Sequence, residues 1–138
     1  MNTSFDHMIT FDTEVDMAYI HLTEPLKCKI TSTEEVSVNH WIMVDMGREA
    51  PIIGIELDGP CAKKIQAVPL EDRTFTTAST RAGERYFFFR LDQQPIKNTF
   101  SFQGREEVKF LFADEACTDF IGVEVYGDNP YYDAYLSR

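Results

Sequence analysis

Short runs of apolar, aromatic and β-branched residues recur along the chain with turn-formers between them. They are MITF at 8–11, MAYIHL at 17–22, WIMVDM at 41–46, PIIGIEL at 51–57, RYFFFRL at 85–91, VKFLFAD at 108–114 and DFIGVEV at 119–125. Each is strand length, and the alternation within them predicts half-buried β-strands. In PIIGIEL, the side chains of Ile53, Ile55 and Leu57 fall on one face and Gly54 and Glu56 on the other; DFIGVEV repeats this with Ile121, Val123 and Val125 against Gly122 and Glu124. Phe87, Phe88 and Phe89 are consecutive, so at least one phenylalanine faces away from the side its neighbours bury. After the fourth and seventh runs come DGPCAKKI and GDNPYYDAYL, where Pro60 and Pro130 stand at the start of short helix-compatible stretches.

The chain also matches itself. A shift of 68 lays WIMVDMGREAPIIGIELDG over KFLFADEACTDFIGVEVYG, with Ile53, Gly54, Glu56 and Gly59 falling on Ile121, Gly122, Glu124 and Gly127. A shift of 69 lays MITFDTEVDMAYIHL over TASTRAGERYFFFRL, bringing His21 onto Arg90. The Glu34-Glu35-Val36 and Glu106-Glu107-Val108 triplets match only at a shift of 72 and are not equivalent. Shared strand phase and shared glycines point to an internal duplication. The expected architecture is mainly β (α+β), with two tandem antiparallel β-meander units, each followed by a short helix, packed with pseudo-twofold symmetry. A single domain would then hold a first unit at 1–66 and a second at 67–138, with a linker near 66–76.

The stretch ITFDTEVDMAYIHL, followed by TEEV, IMVDM and IIGIELDG, resembles the YuzE-like family of small bacterial proteins of unknown function. The resemblance covers about residues 8–59, with a degenerate second copy at about 77–127. His21 stands where that family usually has arginine, and the second copy replaces the acidic turn by Arg81-Ala82-Gly83-Glu84-Arg85. The resemblance implies a compact β-rich fold and brings no catalytic role with it.

Composition narrows the function classes. At 138 residues the chain is long enough to bury its own core without disulfides or metal. Cys28, Cys61 and Cys117 are odd in number and widely spaced, which fits neither a disulfide framework nor a zinc ribbon and suits a reducing cytoplasm. No apolar run approaches the ~20 residues of a membrane span, and the first residues lack a signal-peptide pattern. Thirteen basic against 23 acidic residues give a net charge of −10, which disfavours nucleic acid and anionic lipid as partners. Residues 1–60 hold 11 acids and 3 bases, a balance of −8, whereas residues 61–138 hold 12 and 10, a balance of −2. Such a lopsided field fits either a solvated surface that keeps the chain soluble or a negative face that steers a basic protein toward the first half.

Candidate chemistry is sparse. Asp12, Glu14 and Asp16 form D-x-E-x-D in a turn, but no glycine or glutamate follows at calcium-loop spacing; the acids are expected to cap the turn, and no metal is assigned. His7, His21 and His40 lack zinc-ligand spacing, and neither a nucleophile elbow nor a phosphate loop occurs. No cofactor is expected. Partner-binding candidates are Asp12, Glu14, Asp16, Glu34 and Glu35 for charge, and Tyr131, Tyr132 and Tyr135 for aromatic contact, with Tyr131 and Tyr135 on one helix side. The leading expectation is a non-catalytic cytoplasmic binding protein, monomer or homodimer, of the immunity or antitoxin type, docking a basic toxin or other basic protein. The alternative is a small-ligand module or enzyme with His21, Glu56 and Glu124 in a cleft between the two units.

Overall fold

The computed structural model describes residues 8–102, 106–126 and 129–137; His7 and Gly127 lie outside the described residues. The first half runs β1 (Ile9–Asp12), β2 (Met17–His21), β3 (Ser32–Val36), β4 (Asn39–Met46), β5 (Ile52–Leu57) and helix α1 (Gly59–Gln66). A connection with one 3-10 turn (Leu70–Asp72) leads to β6 (Thr76–Ser79), β7 (Arg85–Arg90), β8 (Asn98–Phe100), β9 (Val108–Phe112), β10 (Phe120–Val125) and helix α2 (Pro130–Leu136). The helices start where the prolines indicate. Asp58 Oδ1 accepts from Gly59 N–H at 2.8 Å, and Asn129 Oδ1 accepts from Tyr131 N–H at 2.9 Å. None of the described helices is long and apolar enough to cross a membrane.

Each half is a five-stranded antiparallel sheet followed by a short helix, with orders β1-β2-β5-β4-β3 and β6-β7-β10-β9-β8. This is not the sequential meander expected from the run of strands. The last strand of each half is inserted between the two hairpins and pairs with β2 and β4, or with β7 and β9. Burial explains the choice. Every residue of IIGIEL and FIGVEV is buried except Glu56 and Glu124, so these strands gain most from a central position flanked on both edges. The edge strand β3 is the opposite case, with Ser32 to Glu35 all exposed.

The sheets and helices share one hydrophobic core containing Ile20, Val44, Ile55 and Ile65 from the first half and Phe89, Phe110, Val123 and Tyr132 from the second. One pair of polar contacts across the halves is reciprocal. Tyr132 on α2 donates its hydroxyl to Ile52 C=O at 2.7 Å and accepts from Ile52 N–H at 3.0 Å. Sixty-eight residues earlier, Lys64 on α1 donates to Phe120 C=O at 3.0 Å, and Ile52 and Phe120 are themselves 68 apart. Asn39 Nδ2 donates to Cys117 C=O and Asn129 Nδ2 to Glu49 C=O, but from non-equivalent positions, so of these contacts the Tyr132 and Lys64 bonds alone are related as a twofold axis would relate them.

Strand pairing corrects the internal alignment in two places. Opposite Glu56 lies Met43, and opposite Glu124 lies Lys109, so β4 and β9 correspond at a shift of 66 rather than 68. The two extra residues sit in the turn between β9 and β10. A slip of two preserves which side chains face the core, so hydrophobic pattern alone cannot detect it. In the first hairpin, Ala18 pairs with Phe11 while Phe87 pairs with Thr77. Tracing the β2 equivalents across therefore places β1 on β6 at a shift of 66, with three extra residues in the β6–β7 turn.

Candidate functional site

The outer face of the first sheet carries polar chemistry that the second lacks. Asp45 on β4 is 3% exposed, yet it faces away from Ile42, Val44 and Met46, which enter the core. A carboxylate this buried needs donors. Tyr19 on β2 donates its hydroxyl to Asp45 Oδ2 at 2.7 Å, and Thr33 on β3 donates to Oδ1 at 2.6 Å. From β5, between these strands, Glu56 stands beside the same carboxylate. Burial first, then a hydrogen bond to Asp45 and the repulsion of its charge, push the Glu56 carboxyl up to about 7. The Glu56 carboxyl therefore keeps its proton up into the neutral range, where it can donate to Asp45. The Tyr19 phenol is driven far above its ordinary range by burial and by its bond to Asp45.

Gly54 makes this arrangement possible. Tyr19 lies across β5 directly over it, and a β-carbon at position 54 would coincide with the tyrosine hydroxyl. The glycine is needed for close approach, not for an unusual backbone. His21 stacks at 4.5 Å from Tyr19, tilted by 59°, and burial lowers its pKa, holding the imidazole neutral. In the second half the equivalent positions are Phe88 for Tyr19, Arg90 for His21 and Leu111 for Asp45. The acid pair is thus a feature of the first sheet and not a requirement of the fold.

Two concavities open beside this cluster. One, about 720 Å³, lies between the sheet and the loop from Thr23 to Ile30, with Tyr19, Asp45 and Ile53 in its lining. Ile53 reaches it because a bulge between Asp45 and Met46 on the β4–β5 ladder leaves Ile53 unpaired; the strict alternation expected from PIIGIEL stops there. A second concavity, about 530 Å³, is lined by Thr10, Phe11, Asp12, Thr13 and Glu14, and shares His21 and Pro25 with the first.

One relative bears on the wider kinship. The chain is 26% identical over 130 residues to "Uncharacterized protein YuzE" of Bacillus subtilis (strain 168), covering 94% of this chain and 95% of the relative. The chain is similar to that protein over nearly its whole length. The YuzE resemblance therefore extends beyond residues 8–59 and takes in both halves. No family model and no solved structure matches the chain.

Within the fold the residues expected to matter are dispersed. Asp12, Glu14 and Asp16 are exposed in the β1–β2 turn, where Asp12 Oδ1 accepts from Glu14 N–H at 2.9 Å and Asp16 takes a left-handed φ of 54°. Glu34 and Glu35 are exposed on β3. Tyr132 and Tyr135 correct the expected aromatic partner surface. Both point into the core at 1% and 2% exposure, leaving only half-buried Tyr131 near solvent. Glu124 hydrogen-bonds Tyr126 on the outer face of the second sheet, whereas Glu56 and His21 lie on the outer face of the first. The three do not converge on one cleft. Tyr19, Thr33 and Asp45 went unremarked in the sequence, and Gly54 was noted for its strand phase and its match to Gly122 rather than for a partner above it; the visible signal was a lone aspartate inside the apolar run WIMVDM. Among the described residues no group of three or more His, Cys, Asp or Glu is arranged to hold a metal ion.

Proposed function

We propose that this protein is a non-catalytic binding module whose first half docks a basic protein. One observation carries the reading. Residues 1–60 carry a balance of −8 against −2 for residues 61–138, and in that first half Asp12, Glu14, Asp16 and Glu35 are exposed and enter no ion pair among the described residues. Carboxylates left without a cation on one half concentrate negative potential there, and that potential accelerates encounter with a positively charged surface. An immunity or antitoxin-type inhibitor of a basic toxin is the specific role this reading favours.

The test is affinity capture from the native host with the intact protein and with a fourfold variant, Asp12→Asn, Glu14→Gln, Asp16→Asn and Glu35→Gln, at low and high salt. A basic protein retained by the parent at low salt, and lost by the variant, supports docking. Capture of acidic proteins only, or equal capture by both chains, removes it.

A further inference from the structure

We infer that the two concavities on the first sheet form one groove that takes an extended segment of the basic partner, with an apolar side chain seated at one end and cationic side chains at the other. This rests on the docking reading above and specifies where and how the partner binds. The two hollows meet at His21 and Pro25, so the depression runs from the β1–β2 turn to the loop after β2. Asp12 and Glu14 line the turn end. Leu26, Ile30 and Ile53 line the other.

Three features point to an occupant. Leu26 is 97% exposed and held at a φ of 68°, a left-handed conformation that strains a leucine, so the loop presents an apolar side chain to water at a cost. Thr23 is 2% exposed in the pocket wall, and its hydroxyl has only the Cys28 thiol beside it, a poor hydrogen-bond partner. An extended peptide's backbone would offer the missing donor or acceptor once the loop from Thr23 to Ile30 moves aside, because the hydroxyl is closed off from solvent here. Finally, the groove walls hold five carboxylates (Asp12, Glu14, Glu24, Asp45, Glu49) against two ammonium groups, Lys27 and Lys29. Charge complementarity therefore selects a cationic segment. The second sheet lacks the equivalent acid, having Leu111 for Asp45, so one such segment is expected per chain.

The experiment uses an array of fluorescein-labelled nonapeptides in which one leucine or phenylalanine and two arginines are separated by two to six residues, with anchor-only and arginine-only controls. Anisotropy titrations of the full chain should show binding for peptides carrying both elements, at least tenfold tighter than either control. Leu26→Ser, a fully exposed position that leaves folding intact, should weaken binding about tenfold. Asp12→Asn with Glu14→Gln should weaken it and flatten its salt dependence. Binding that follows arginine content alone and ignores Leu26→Ser overturns the groove while leaving acidic docking standing. Binding of small amphiphilic amines without any peptide response also overturns it. Absence of any basic ligand, by array and by capture together, removes both readings.

Discussion

Glu56→Gln offers a sharp test of the acid pair. The carboxyl of Glu56 holds its proton in the folded chain up to about 7, against an ordinary value of 4.5 in the unfolded chain. A group raised in this way stabilises the fold below pH 4.5, and that stabilisation is lost as pH climbs through 7. Because solvent screens this half-buried side chain, the effect on stability is on the order of 1–2 kcal/mol. Glutamine keeps the donor to Asp45 and cannot ionise. His21 works in the opposite direction, because its lowered pKa makes stability rise with pH through 6.5. That term is common to both chains and cancels in their difference. Urea unfolding at pH 4.5, 6, 7 and 8.5 should show the two proteins differing by a constant at acid pH, with Glu56→Gln gaining about 1–2 kcal/mol on the parent by pH 8.5. A difference that is flat across the range, or that moves against the variant, would show that Glu56 does not hold its proton in the folded chain.

Gly54→Ala should displace Tyr19 from Asp45 and cost about 2–3 kcal/mol in urea unfolding, because a buried carboxylate loses a hydroxyl donor; Gly83→Ala, where nothing stands within 4 Å of the new β-carbon but φ is 88°, should cost only about 1 kcal/mol. If Gly54→Ala proves as mild, Tyr19 is not anchored there. Tyr132→Phe should cost about 2–3 kcal/mol by stranding Ile52 N–H and C=O at the boundary of the halves, and a loss under 0.5 kcal/mol would mean the bond contributes little to the clasp. The fourfold neutralisation at Asp12, Glu14, Asp16 and Glu35 should change stability by less than about 0.5 kcal/mol, since exposed charges contribute little; a larger loss would assign these residues to folding instead of docking.

What the chain disclosed in advance follows from what alternation encodes. IIGIEL and FIGVEV declare themselves as strands because five of six residues in each are buried, and Pro60 and Pro130 mark helix starts because proline forfeits nothing in a first turn. Strand order is not encoded in that pattern, so the insertion of β5 beside β2 was invisible. So was the two-residue offset between β4 and β9, which leaves every inward side chain inward. The tyrosines show the same limit. Three of them lie within five residues of α2, and the pattern cannot say which pair turns inward; the bond of Tyr132 to Ile52, far away in sequence, accompanies an inward pair of Tyr132 and Tyr135. Asp45 was overlooked because its donors come from two other strands, 26 and 12 residues away.

The docking face is tested most directly by recording amide nitrogen–proton spectra of the full chain while adding an anchor-plus-arginine peptide. The account predicts that shifts gather at the β1–β2 turn, His21, the loop from Thr23 to Ile30, and Asp45 and Ile53. Shifts confined to the outer face of the second sheet, around Phe88, Lys109 and Glu124, would contradict it.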